Sequence, residues 1–142
     1  MKITKSDVVF LSFAFTGQDQ AVIEKRMEGI YKALQNAGIK AYCNLYDDNC
    51  KDFTLPGEYI CAAIEELKGR TKLVAIVASD HRSQGQLMEI GAAIALGLPV
   101  ITFMNESAKG TGYIEDPRIS QVTSFWRTDV ELLNLVTANV EA

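Results

Sequence analysis

The chain holds a single histidine, His81, and three cysteines, no two of them in a C-x-x-C pair, so zinc binding and dithiol chemistry lack a ligand set. Cys43, Cys50 and Cys61 read as buried or loop thiols, and neither a metal nor a bound cofactor is expected. Basic clusters are missing as well. The 14 Lys and Arg are scattered among 18 Asp and Glu, for a net charge of −4, and this excludes the electrostatic footprint of a nucleic-acid partner. Long hydrophobic runs are also absent. A membrane span needs about 20 predominantly apolar residues, and the best stretch, Leu87 to Met104, is interrupted by Glu89, Gly91, Gly97 and Pro99. It reads as helix, turn and strand. Lys2-Ile3-Thr4-Lys5-Ser6-Asp7 leads into a strand-like run without a small-residue cleavage site, so no secretory signal is expected and a cytoplasmic location is.

What is present is the material of one globular domain over residues 1–142, with 48% hydrophobic residues and enough length for a real core. Val8 to Phe15 is nearly continuous in apolar residues, as a central strand covered on both faces would be. Thr16-Gly17-Gln18-Asp19-Gln20 breaks it. In a doubly wound fold this first strand-to-helix turn carries ligand contacts. Val22, Ile23, Met27, Ile30, Tyr31 and Leu34 predict an amphipathic helix over 21–36, and Gly38 suits the residue just past its end. Ile39 to Leu45 predicts a second strand, followed by an acidic loop at Tyr46 to Asp52 whose Asp47 and Asp48 read as solvated. A helix starts near Leu55-Pro56-Gly57 and ends at Gly69, with Glu65 and Glu66 late in it.

Leu73 to Val77 predicts the third strand and Pro99 to Met104 the fourth. Asn105 to Ile119 is an irregular stretch of the kind that carries function or a subunit contact. Val122 to Trp126 is a fifth short strand, and Asp129 to Val140 a closing helix capped by Thr128. Strands alternating with helices in this order imply an α/β fold: one Rossmann-like domain with a five-stranded, mostly parallel sheet and helices on both faces.

Between the third and fourth strands lies the segment around which the rest is organised. Glu89 is the only charged residue from Leu87 to Met104, one carboxylate in an otherwise apolar setting. Such a group is costly to desolvate unless it is hydrogen-bonded or kept for chemistry, and burial raises its pKa. Ahead of it, Ser83 and Gly85 stand where a helix begins. Free backbone N–H groups there favour anions, and a serine at that place also serves as an N-cap.

The pattern S-x-G-x-x-x-E-I-G-x-A-x-A-L-G-x-P-V, from Ser83 to Val100, resembles the signature segment of the nucleoside 2-deoxyribosyltransferase family, including its nucleotide N-hydrolase branch. The resemblance extends to the strand-turn-helix start and the order of elements. It implies a flavodoxin-like domain whose glutamate, here Glu89, attacks the anomeric carbon of a small-molecule nucleoside or nucleotide. The base leaves, and the glycosyl-enzyme passes to water or to a second base. The same resemblance implies a homodimer or higher homo-oligomer, with Met104 and Asn105 near a neighbouring subunit's site. Ser83 and Gly85 fall where the hydrolase branch contacts the phosphate.

This chain departs from the family at several positions. Phe10 and Phe13 stand near the family's tyrosine and glycine of the first strand, Glu65 near an upstream acid, and Thr16 where the hydrolase branch carries an arginine; Arg82 could compensate but reads more readily as a solvated loop arginine. A phenyl ring cannot donate the hydrogen bond that would orient the nucleophile.

The chemistry suits the residues apart from the family. Cleaving an N-glycosidic bond passes through an oxocarbenium-like state, which a carboxylate against the anomeric carbon stabilises and can trap covalently. The candidate catalytic residues are thus Glu89 and Asp80, the latter as acid or base-binding group, and the resemblance adds Glu65, which by its place late in a helix also reads as solvated. Ser83, Gly85, Phe10, Phe13, Phe15, Thr16 and Gly17 are the candidate substrate contacts, with Phe13 and Phe15 stacking on the base. Three other readings stay open: a non-catalytic nucleotide-binding or signalling module, a glycohydrolase acting on NAD or another pyridine nucleotide, and a plain structural domain.

Overall fold

The apolar runs become five strands and the amphipathic segments four helices. The computed structural model describes residues 1–15, 17–81, 83–110 and 112–141. In chain order the elements are β1 (Val8–Phe13), α1 (Gln20–Asn36), β2 (Lys40–Tyr42), α2 (Pro56–Leu67), β3 (Lys72–Val77), α3 (Gln84–Ala95), β4 (Val100–Asn105), β5 (Val122–Trp126) and α4 (Asp129–Ala138). Every strand pair is parallel, and the order across the sheet is β2-β1-β3-β4-β5. This is the flavodoxin-like order. Its consequence is a switch point between β1 and β3, where successive connections leave in opposite directions and open a crevice at the carboxyl ends of the strands.

Both faces of the sheet are covered. Val9, Leu11, Val74, Ile76, Ile101 and Phe103 pack under α1 and α4, against Ile23, Met27, Ile30, Leu34, Leu132 and Val136. On the other face Phe10, Leu73, Ala75 and Val100 pack under α2 and α3, against Ala63, Leu67, Ile90 and Ala93. The period-2 alternation of the strands assigns each residue to its face. At the amino ends of β1 and β3, Asp7 is 6% exposed and binds Lys72 Nζ at 2.6 Å.

Local chemistry sets the boundaries. Asp19 caps α1 by accepting from the Val22 N–H, and Thr128 caps α4 by accepting from the Glu131 N–H, each leaving one fewer bare donor in the first turn. Gly97, at φ +77°, ends the turn after α3 in a conformation that L side chains rarely adopt. The second strand is shorter than its apolar pattern predicts. Asn44–Tyr46 and Asp48–Cys50 coil instead as 3-10 turns. Asp47 is not a solvated loop acid: its carboxylate accepts from the Tyr42 hydroxyl at 2.7 Å and from the Asn49 N–H at 3.0 Å. The last helix stops at Ala138, because Val140 leaves it to bridge Ile3. Among the described residues no helix is long and apolar enough to cross a membrane.

Candidate active site

The carboxyl ends of β1 and β3 converge on the first turns of α3. Ser83 is the N-cap of that helix, its Oγ accepting from the Gln86 N–H at 3.2 Å. Gln86, only 5% exposed, reaches down from the helix to the sheet. Its Nε2 donates to the carbonyl of Ser12 on β1 and to that of Ile76 on β3, both at 3.1 Å. One amide thus spans the switch point and fixes the helix start over it.

Glu89 follows on the same helix. On β1, Phe10 and Ser12 share the face beneath α2 and α3, and the Ser12 hydroxyl donates to Glu89 Oε1 at 2.7 Å. The other oxygen, Oε2, accepts no hydrogen bond from the described residues and is not wholly buried. One oxygen is held and the other is open. Burial pushes the Glu89 carboxyl up to about 7, against the pull of the Ser12 hydrogen bond, which favours the ionised form. Near neutral pH the group is divided between acid and carboxylate. Cys43, at the end of β2, lies close enough for the Glu89 charge to act on it. Burial above all pushes its thiol up to about 11, so it stays protonated and is no rival nucleophile.

The loop between β3 and α3 meets the first strand-to-helix turn. Gly17, at φ +78°, lies where a Cβ would sit 3.6 Å from His81 Nε2, so the imidazole packs against the turn's backbone. A side chain there would be strained. Asp80 is exposed on the same loop. With Ser79, Ser83, Gln86 and Tyr113 it lines a cavity of about 40 Å³ near the end of β4, room for a water and not for a base. Glu89 is not part of that lining. The Glu89 carboxylate lies instead on the β1 side of the helix, bonded to Ser12.

The other expected residues are divided. Phe15 is 39% exposed just beyond β1, free to meet a planar ligand. Phe13 points to the opposite face from Ser12 and packs against the core beneath α1. Phe10 is 1% exposed and stacked on Tyr42, so its ring belongs to the core rather than to the crevice. Glu65 lies on the outward side of α2 with 71% of its side chain exposed, bonded to Lys68 at 2.7 Å. No hydrogen bond joins it to Glu89. Gly85 is not demanded by its own surroundings, since a Cβ there would meet Ile60 only at 3.8 Å. Thr16 and Arg82 lie outside the described residues.

Ser12, Gln86 and Asn44 escaped the reading of the sequence. Ser12 had a signal, being the one hydroxyl in the run from Val8 to Phe15. Gln86 had one too, a polar residue one turn before Glu89 on a face where Ile90 and Ala93 are buried. Asn44 had none. Its Oδ1 is buried just after β2 without a partner among the described residues.

No protein-family model matches the sequence, and no curated protein matches it at a significant level. Solved structures do. A CMP N-glycosidase of Clostridium botulinum, BcmB, is 22% identical with a TM-score of 0.69, over 92% of this chain and 97% of that one. BlsM is 16% identical with a TM-score of 0.76, over 94% of this chain and 88% of the other. A 2-deoxyribosyltransferase from Bacillus psychrosaccharolyticus is 19% identical with a TM-score of 0.58, over 89% and 90% of the two chains. The chain shares the flavodoxin-like α/β fold of these proteins over nearly its whole length.

Proposed function

We propose that the protein cleaves the N-glycosidic bond of a nucleoside or nucleotide, with Glu89 as nucleophile, and delivers the sugar to water or to another base. The observation that carries this reading is a half-buried carboxylate with Oε1 held by Ser12 and Oε2 left without a hydrogen bond among the described residues. The fold shared with an N-glycosidase and a 2-deoxyribosyltransferase supports it, as does the resemblance of Ser83 to Val100 to the deoxyribosyltransferase family.

In the first step Oε2 bonds to the anomeric carbon as the C–N bond breaks. Its electron pair leaves on the base nitrogen, which takes a proton from solvent. In the second step a water, or an N–H nitrogen of an acceptor base, attacks the same carbon, gives up its proton to solvent and frees the carboxylate. The N-terminus of α3 holds a 5′-hydroxyl or 5′-phosphate through its free N–H groups and the Ser83 hydroxyl. Asp80 accepts from exocyclic groups of the base, and Phe15 stacks on it.

The test is chromatographic base release from ribo- and deoxyribonucleosides, their 5′-monophosphates and NAD. Release from one class is the expected result, and that class names the substrate. A nucleotide that raises the melting temperature without any base release would overturn the catalytic reading and leave a binding module.

The working form in this reading is a homodimer or a higher homo-oligomer. Leu87, Met88 and Ile94, spaced along one side of α3, are 36%, 54% and 38% exposed, with nothing within 4 Å of the Cβ position at Gly91 between them. A self-complementary apolar helix face fits a two-fold contact. Light scattering is expected to give at least twice the chain mass of 15.6 kDa, and Met88→Glu with Ile94→Glu to return the monomer. A monomeric native protein at micromolar concentration would rule this assembly out.

A further inference from the structure

The tyrosine that the resembled family carries on its first strand is absent here, and the ring at that place, Phe10, is sealed in the core. A carboxylate that attacks a carbon needs an oriented oxygen and a partner to hold the ion against desolvation. We infer that Ser12 is the positioning residue for Glu89: its hydroxyl holds Oε1 and its carbonyl takes Gln86, so strand and helix are locked together and Oε2 alone is left to react. This inference rests on the reading of Glu89 as nucleophile.

Three observations carry it. Ser12 is 1% exposed, so its hydroxyl has no solvent to turn to, and its bond to Glu89 is short at 2.7 Å. The residue is bound twice, through the side chain to Glu89 and through its carbonyl to Gln86 Nε2 at 3.1 Å. Gln86 and Glu89 lie three residues apart on neighbouring sides of α3, so fixing the amide fixes the helix rotation that aims the carboxylate. Gln86 also donates to Ile76 at 3.1 Å, which ties this lock to β3.

The electrostatic surroundings point the same way. Around Glu89, β1 offers the Ser12 hydroxyl, the end of β2 offers the Cys43 thiol, neutral at physiological pH, and α3 offers the neutral Gln86. No cation among the described residues pairs with Glu89, so the Ser12 hydroxyl is the group that favours its ionised form against burial.

The experiment follows the Glu89 side-chain carboxyl carbon by 13C NMR across pH in the native protein, Ser12→Ala and Ser12→Thr, beside the pH profile of base release. Native Glu89 is expected to titrate near pH 7. In Ser12→Ala its midpoint moves up by about one pH unit, as loss of a hydrogen bond to a charged group requires. The acidic limb of kcat moves with it, kcat at pH 7 falls by about 10-fold or more while KM changes little, and Ser12→Thr restores much of both. A midpoint unchanged in Ser12→Ala overturns the inference whether or not the protein turns over. A midpoint that moves in a protein releasing no base upholds the role of Ser12 toward Glu89 and sinks the glycosidase reading instead.

Discussion

Glu89→Gln is expected to abolish base release and, above pH 7, to make the protein more stable than its parent. The loss of activity is the larger effect. An amide is a far poorer nucleophile than a carboxylate and carries no charge to set against the oxocarbenium-like state, so kcat falls by on the order of 10³-fold or more. The gain in stability comes from burial. The carboxyl titrates at 4.5 when free and at about 7 in the folded chain, so between those values the folded protein keeps a proton that the unfolded one has lost. Stability then falls as pH rises across that window, and the deficit is complete above pH 7. Each unit is worth about 1.4 kcal/mol. Allowing for an incompletely buried group, glutamine relieves about 1–3 kcal/mol at pH 8, several degrees in Tm for a domain of this size. Below pH 4.5 both proteins carry a neutral side chain there, and their curves meet. Thermal melts of the two proteins from pH 4 to pH 8 check the sign. Parallel curves would mean that Glu89 is not destabilised by the fold, and a variant that still releases base would remove it from the chemistry.

Most of this architecture is legible in the sequence because periodicity is a strong signal over long segments. All five strands and four helices form in the order the apolar spacing predicts, β2 and α4 ending earlier than their patterns do, and Ser83 and Thr128 cap α3 and α4 as their types suggest. Glu89 is conspicuous for a physical reason: in an apolar stretch a charge is an expense that folding tolerates only with a partner or a purpose. The partner is what the sequence hides. Ser12 and Glu89 are 77 positions apart, and only the register of β1 beside β3 under α3 brings them together. Phe10 and Phe13 mislead for the same reason, since alternation buries one beneath α2 and turns the other toward α1, leaving Ser12 between them to face the carboxylate. Glu65 shows the weakness of alignment by position alone. It has the chemistry of a site acid, but the rotation of α2 turns it toward solvent and Lys68.

The second large effect is expected at the opposite end of the sheet, where Asp7→Ala costs about 3 kcal/mol of stability and leaves turnover per folded molecule unchanged. Asp7 sits one residue before β1 and accepts from the Thr4 N–H at 2.8 Å, the Thr71 hydroxyl at 2.8 Å and Lys72 Nζ at 2.6 Å. Its burial raises the carboxyl pKa, but the Lys72 ammonium and the Thr4 and Thr71 donors outweigh that and hold it below its usual value. Alanine leaves the Lys72 ammonium, with a side chain only 15% exposed, without its counter-charge, and removes the acceptor of the Thr4 N–H. Lys72→Met in the Asp7→Ala background is expected to recover part of the loss, because it removes the orphaned charge and fills the space with apolar volume. The pH dependence has the opposite sign to that of Glu89. A carboxyl with a lowered folded pKa stabilises the protein above its unfolded value of 3.8, and that contribution is lost as pH falls through the folded value. Urea unfolding at pH 7 and pH 3 is the measurement, and the gap between native protein and Asp7→Ala is expected to narrow in acid. An equal gap at both would show that the charge of Asp7 is not what joins β1 to β3. Because all strands run parallel, the amino ends carry this ion pair and the carboxyl ends carry Glu89. One charge stabilises the protein as pH rises and the other, its pKa raised by burial, weakens it above neutrality.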